Sequence, residues 1–261
     1  MYDQLFIRNI GIVSEEDQER LRNSTIGIAG TGGVGGQFAY NMARLGVGRI
    51  KLSDPETFDY SNVNRQFGAT TNTIGAKKAD VVADECKKIN PNLEIMISYG
   101  ITVDNVEDFI RGCNFVSDSI EIFSLWERLA LHKIAREYDL PVSFAPALGF
   151  GSALFVFDPR GMTFEEFFEV PSDPDKLRGW MYPSHKIKPG EQNYMVPNTW
   201  KKVRDRLMDP PTTIIGIQGS AILSAMAAIK NILGKGKQVY VPEVIHVDHM
   251  DMTYEIIKHP N

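Results

Sequence analysis

Gly30-Thr31-Gly32-Gly33-Val34-Gly35 is a G-x-G-x-x-G run. Between a strand and a helix, such a run lets a phosphate approach backbone N–H groups at the helix N-terminus, where the dipole favours an anion. Asp54 follows 19 residues beyond Gly35, where a carboxylate at the end of the next strand can accept both ribose hydroxyls. These features alone suit a dinucleotide oxidoreductase as well as an ATP enzyme. The stretch 54–67, DPETFDYSNVNRQF, then supplies Arg65, and Lys78 stands twelve residues beyond Gln66. Hydride transfer needs no such basic pair. A triphosphate does, because Arg65 can fork onto phosphate oxygens and Lys78 can neutralise charge as pyrophosphate leaves.

The elements that would position these groups are readable from periodicity and caps. Ser14 before three acidic residues predicts an N-cap, with a helix to about Asn23. Residues 25–29 read as a buried strand, 30–36 as a turn and 37–45 as a helix. Strands are expected at 50–53, 93–98, 115–117 and 142–145, and helices at 76–88, 106–111 and 125–137. This alternation predicts a Rossmann-like α/β fold with a largely parallel sheet flanked by helices. After residue 149 come a further strand, a poorly periodic segment at 160–211, an apolar helix at 214–233 and two antiparallel terminal strands at 238–247 and 252–257.

The chain has 261 residues, 43% hydrophobic and 23% charged, which suits one domain over 1–261 with 160–211 as a divergent insert. A net charge of -5 argues against nonspecific nucleic-acid or anionic-membrane binding. Cys86 and Cys113 are the two cysteines; they form no C-x-x-C pair, so a disulfide framework or a four-cysteine zinc site is excluded and no zinc is expected. Both read as small core residues. A start without an apolar signal region points to the cytoplasm. The apolar segment 214–233 has the length of a membrane span, but Gln218, Ser220, Ser224, Lys230 and Asn231 interrupt it. It reads as a buried helix in a core or dimer interface. His246, Asp248, His249 and Asp251 match no zinc spacing.

The run Ser61-Asn62-Val63-Asn64-Arg65-Gln66 with Gly75-Ala76-Lys77-Lys78 resembles the S-N-L-x-R-Q and G-x-x-K pattern of the ThiF-type adenylyltransferases of thiamine and molybdopterin biosynthesis. Through them it is similar to the ubiquitin-activating enzymes. Ile89-Asn90-Pro91 and the segments 216–219 and 228–230 fit the same pattern, and Arg8-Asn9-Ile10 stands where the family has R-Q-I. The likeness covers residues 1 to about 158 and about 212 to 258.

This resemblance implies an enzyme that uses ATP and Mg2+ to join a carboxylate to AMP, releasing pyrophosphate. The nucleotide would lie against Gly30, Gly32, Gly33, Gly35, Asp54, Glu56, Asn62, Arg65, Gln66 and Lys78. The family's D-x-x-D reads Asp118-Ser119-Ile120-Glu121, placing Asp118 and Glu121 at the nucleotide and at magnesium. Arg8, Arg65 and Lys78 would be catalytic through charge, with Arg8 serving the neighbouring subunit's ATP in a homodimer. The carboxylate would belong to a ubiquitin-like sulfur carrier, a small molecule or a tRNA. The insert contains no cysteine, which excludes a thioester or persulfide step on it. Its Trp180, Tyr182, Tyr194 and Trp200 suit a satellite core or a substrate cover. The alternatives are an NAD(P)-dependent oxidoreductase, which Arg65 and Lys78 disfavour, and a catalytically silent dimer, which only Glu121 supports.

Overall fold

The computed structural model describes residues 1–177, 180–187 and 192–260. The chain opens with α1 (Tyr2–Phe6), a 3-10 turn at Ile7–Asn9, and α2 (Glu15–Asn23). The Ser14 hydroxyl accepts the Asp17 N–H and the Asp17 carboxylate accepts the Ser14 N–H, a reciprocal cap that fixes the start of α2. Then follow β1 (Thr25–Ala29), α3 (Gly33–Leu45), β2 (Arg49–Ser53), α4 (Lys78–Ile89) and β3 (Glu94–Ser98). Next are α5 (Val106–Ile110), β4 (Phe115–Asp118), α6 (Leu125–Glu137) and β5 (Val142–Phe144). The remainder contains β6 (Ala147–Leu148), β7 (Gly151–Phe157), α7 (Phe164–Phe168), α8 (Pro174–Leu177), α9 (Ser184–Ile187) and α10 (Thr199–Arg204). It closes with α11 (Ile214–Leu233), β8 (Glu243–Asp248) and β9 (Thr253–Lys258).

One sheet runs in the order β3-β2-β1-β4-β5-β7-β8-β9, with β6 pairing off β7. The strands from β3 to β5 are parallel and those from β7 onward are antiparallel. Because β1 and β4 are central and covered on both faces, they read as unbroken buried runs. Two boundaries differ from expectation. α3 begins inside the glycine run, at Gly33, and the terminal pairing starts only at Glu243, after Pro242, which has no N–H for a ladder.

Apolar faces divide the interior into three layers. α3, α4 and α11 bury Phe38, Met42, Val82, Cys86, Ala221 and Ala225 on one face of the sheet. α5 and α6 bury Phe109, Ile110, Leu131 and Ala135 on the other. An aromatic layer packs Phe144, Phe155 and Phe157 against Phe164, Phe167 and Phe168 of α7. Trp180, Tyr182 and Trp200 of the insert join this layer, so the satellite-core reading describes them. α11 has the length and composition of a membrane span, yet half of it is buried inside the protein. Its outer side leaves Ile215, Ile222 and Met226 open.

His246 on β8 and His259 after β9 are buried, with ring centroids 6.3 Å apart and neither Nε2 partnered among the described residues. Burial, with His259 adding to it, pushes the His246 imidazole down to about 4. The unfolded chain therefore binds the proton first, near pH 6.5. This contribution to stability is full above that pH and falls as the pH drops toward 4. The loss should be on the order of 3 kcal/mol. Urea unfolding of wild type and His246→Phe at pH 7.5 and pH 4.5 checks this: the variant should lose less stability on acidification, and equal losses would refute the assignment.

Candidate active site

The chain leaves β1 toward β2 and β3 on one side and returns to β4 and β5 on the other. This topological switch opens a crevice at the carboxyl ends of β1 and β4. Ala29 pairs with Ser53 of β2 and with Asp118 of β4, so three loops converge there. Gly30 has φ +93°, and a Cβ on it would lie 2.1 Å from the Ser119 carbonyl oxygen. A Cβ on Gly35 would lie 1.8 Å from the Gly30 carbonyl oxygen. Glycine at these positions lets the turn fold onto both the β4 loop and the first turn of α3. The N-cap of α3, Gly32, supplies no side-chain hydrogen bond, so the orphan N–H groups of that turn meet the crevice uncapped.

A chain of hydrogen bonds runs from this turn to Lys78. The Thr31 N–H and hydroxyl donate to Asp54 Oδ2 at 2.7 and 3.1 Å. The Glu56 N–H donates to Asp54 Oδ1 at 2.9 Å. The Lys78 N–H donates to the Glu56 carbonyl at 3.0 Å, and Lys78 Nζ lies 2.6 Å from Glu56 Oε2. Lys78 is buried, and the Glu56 side chain is 55% exposed, so the ammonium is presented at the crevice through its partner. Asp54, expected at the ribose, also has a structural part at the turn. Its carboxylate is buried and engaged from inside, because the sharp turn leaves the Thr31 N–H in need of an acceptor.

The next loop is organised by a 3-10 turn at Tyr60–Asn62. The Ser61 N–H donates to Asp59 Oδ1, and Asn62 Oδ1 accepts the Asp59 N–H at 3.2 Å. Asn62 is buried and braces the turn. Arg65 curls back, donating to the Ser61 carbonyl at 2.6 Å and to Asn64 Oδ1 at 3.0 Å. The Ser61 hydrogen bonds, with Lys78 and Arg65 adding charge, hold the Asp59 carboxyl below the ordinary range. Gln66 lies over Gly32, whose Cβ would sit 3.7 Å from the Gln66 amide, and Gln66 Oε1 is buried with no partner among the described residues.

Behind the β4 loop lies a fully buried ion pair. Arg128 Nε donates to Asp118 Oδ2 at 2.7 Å, and His132 Nε2 is 3.0 Å from the same oxygen. Arg128 Nη2 donates to the Ile120 carbonyl at 2.6 Å, and Nη1 donates to the Tyr182 hydroxyl at 2.6 Å. Burial would raise the Asp118 carboxyl, and Arg128 with the His132 hydrogen bond more than offsets this, leaving it below the ordinary value. Asp118, expected at magnesium, is thus committed to Arg128 and His132. Among the described residues no group of three metal-ligating side chains is assembled. Glu121 is open to solvent but crowded, and burial, with Glu56 adding repulsion, raises its carboxyl above the ordinary value.

Arg8 lies elsewhere. Around it, Gln18 Nε2 donates to the Leu45 carbonyl at 3.0 Å and accepts the Asn9 amide N–H on its Oε1, at the far end of α3 from the glycine turn. The 13 residues of α3 span about 20 Å. Arg8 is exposed and makes no ion pair among the described residues. The sequence reading missed Arg128 and His132, and it placed Tyr182 in the aromatic insert without its tie to Arg128. A signal existed: Arg128 sits with Leu131, His132 and Ala135 on the buried side of α6, where an unpaired charge would be costly.

A sequence model of the ThiF family matches residues 6–261. The tRNA threonylcarbamoyladenosine dehydratase of Bacillus subtilis (strain 168) is 35% identical over 139 residues, 52% of this chain and 54% of the relative. The sulfur carrier protein ThiS adenylyltransferase of Escherichia coli (strain K12) is 27% identical over 148 residues, 56% of this chain and 58% of that protein. The chain spans about half the length of the curated relatives it matches. Among solved structures, E. coli MccB with MccA-N7isoASN superposes with a TM-score of 0.71 at 16% identity, covering 93% of this chain and 66% of MccB. PaaA gives 0.69 at 19% identity, covering 98% of this chain and 72% of PaaA. At these identities the two structures establish a shared fold.

Removing Arg128 leaves the Asp118 carboxylate buried without its counter-charge, so Arg128→Met should cost about 3–5 kcal/mol in urea unfolding. Tyr182→Phe removes one hydrogen bond to the same guanidinium and should cost about 1 kcal/mol. A loss below that of Tyr182→Phe in the Arg128→Met protein would show that the pair does not hold the β4 loop.

Proposed function

Because the chain belongs to the ThiF family, we propose that it is an ATP-dependent adenylyltransferase that converts a carboxylate into an acyl-adenylate and releases pyrophosphate. The observation that carries this reading is the buried Lys78 ammonium held 2.6 Å from Glu56 and tied by hydrogen bonds to the glycine turn. Triphosphate oxygens would rest on the uncapped N–H groups of α3. Arg65, now bound only to neighbours in its own turn, would swing to the phosphates. The substrate carboxylate attacks the α-phosphorus, the bond to the bridging oxygen breaks, and the leaving pyrophosphate carries its charge to Lys78 and Arg65. Asp54 keeps acceptor capacity beyond its three hydrogen bonds and would take the ribose hydroxyls, with Gln66 Oε1 over Gly32 as a further acceptor.

Glu121, exposed beside the crevice, is the carboxylate that would hold Mg2+, with Glu56 close enough to share it. The ion would shield charge on the phosphates. Asp118 would act from behind, by holding the loop through Ile120 and Arg128. Burial pushes the Cys86 and Cys113 thiols up to about 12 and about 11, so neither supplies a thiolate acceptor. The acceptable carboxylates in this reading are those of a ubiquitin-like sulfur carrier, a small molecule or a tRNA.

We place Arg8 in the neighbour's site. Its distance from the glycine turn of its own chain supports a homodimer in which it serves the partner's ATP, and the open Ile215, Ile222 and Met226 side of α11 offers an apolar surface for pairing.

Lys78→Ala and Arg65→Ala should each lower ATP–pyrophosphate exchange by about 100-fold, the loss of roughly 3 kcal/mol of transition-state stabilisation. Near-normal exchange by Lys78→Ala would overturn the adenylation mechanism. Inactive Arg8→Ala and Lys78→Ala proteins, unfolded and refolded together, should regain about one quarter of wild-type exchange, because about half of the dimers are hybrids with one intact site. No recovery, once native mass spectrometry shows hybrids, would exclude Arg8 from the neighbour's site.

A further inference from the structure

One residue beyond Glu121 the chain turns away from the crevice, and between that loop and the insert lies a cavity of about 150 Å3. Its walls include Phe123, Trp126, Trp180, Met181 and Tyr182, and among the described residues Arg206 is the charged one that stands at it. A hole of this size accommodates about one benzene-sized ring. Apart from Arg206 the lining side chains are apolar or aromatic, with polar atoms among them, which suits a ring that carries a polar neighbour. Arg206 is exposed, lies 5.2 Å from the Phe123 ring centroid, and makes no ion pair among the described residues. Its donors are therefore available to an acceptor on whatever enters.

The cavity is mechanically joined to the nucleotide crevice. Tyr182 forms a wall, and its hydroxyl accepts from Arg128, whose other nitrogen holds the Ile120 carbonyl beside Glu121. A group bound against Tyr182 thus braces the loop that carries Glu121. The insert that supplies half of these walls lies within the family match but carries none of the motifs of the phosphate site, so substrate choice can differ there while phosphate chemistry is kept.

Resting on the adenylation reading, we infer that this cavity selects the acid to be activated. The acid bears a ring-sized apolar side group next to the reacting carboxylate, as in an N-acylated aromatic amino acid or the aromatic C-terminal residue of a peptide. The ring fills the cavity and the acyl carbonyl accepts from Arg206. A Gly-Gly tail has no side chain with which to fill it.

Trp126 and Trp180 are two of the three tryptophans in the chain, so occupancy is readable by intrinsic fluorescence without turnover. The full-length protein is titrated with N-acetylphenylalanine, N-acetylglycylglycine and adenosine. N-acetylphenylalanine should quench saturably, with N-acetylglycylglycine weaker by about tenfold or more for want of a buried ring. Arg206→Gln, a change at an exposed side chain that keeps both fluorophores, should weaken N-acetylphenylalanine by about fivefold. Equal affinities for the two acids, an unchanged affinity in Arg206→Gln, or stronger quenching by adenosine would overturn the inference. Pyrophosphate exchange with the same acids separates the two levels: exchange with N-acetylglycylglycine alone sinks the cavity assignment and keeps adenylation, whereas selective ring binding with no exchange from any acid sinks adenylation and keeps the cavity as a ligand site.

Discussion

Arg128 carries a permanent positive charge into a position with no exposure to water, and such a charge is tolerable only with a counter-charge and a full set of acceptors. Asp118 supplies the first, and the Ile120 carbonyl and the Tyr182 hydroxyl supply most of the second. The consequence reaches beyond stability. The end of the central strand β4, the loop holding Glu121, the helix α6 and the insert are fixed to one planar group whose donors have set directions. Phe144 packs under the guanidinium at 4.9 Å, and the same ring stacks on Tyr182 at 5.8 Å. The aromatic layer and the charged crevice are therefore two sides of one assembly.

A second constraint works on the other side of the crevice. The turn after β1 must approach the β4 loop more closely than any side chain allows, which strands the Thr31 N–H away from strand and helix partners. Asp54 accepts that N–H, and through the Glu56 N–H it sets the carbonyl that receives the Lys78 N–H. A carboxylate that would be at the ligand in an open reading of the motif is here also part of the frame. Part of its effect on function passes through Glu56 and Lys78. Asn62 likewise braces a turn, and Gln66 keeps an unused acceptor at the glycine turn.

Division of labour follows from these two frames. The parallel half of the sheet supplies a phosphate site whose chemistry is charge and backbone N–H groups, which is common to a family. The antiparallel half, with β7, β8, α7 and the insert, supplies an aromatic layer that is joined to the crevice through Arg128 and Tyr182 and through Arg206 against Phe123. Recognition can change in that layer while the turn and Lys78 keep their own hydrogen bonds to Asp54 and Glu56.

The sequence by itself determined the elements whose energetics are local. The Ser14 cap, the buried run Thr25–Ala29, the helices Leu125–Glu137 and Ile214–Leu233, and the alternation that makes a parallel sheet were all legible, since capping and side-chain periodicity act within a few residues. The identity of the site's loops was legible too, from the glycine run and the spacing of Arg65 and Lys78. Only the tertiary structure decided which lone pairs remain free. Asp54 accepts from Thr31, 23 residues away, Asp118 pairs with Arg128 and His132 on the next helix, and Arg128 in turn donates to Tyr182, 54 residues on. It also decided that Arg8 stands at the opposite end of α3 from the turn, and that the aperiodic insert closes an aromatic core. A carboxylate's type and spacing say that it can accept hydrogen bonds, but which donor reaches it first depends on how distant segments pack.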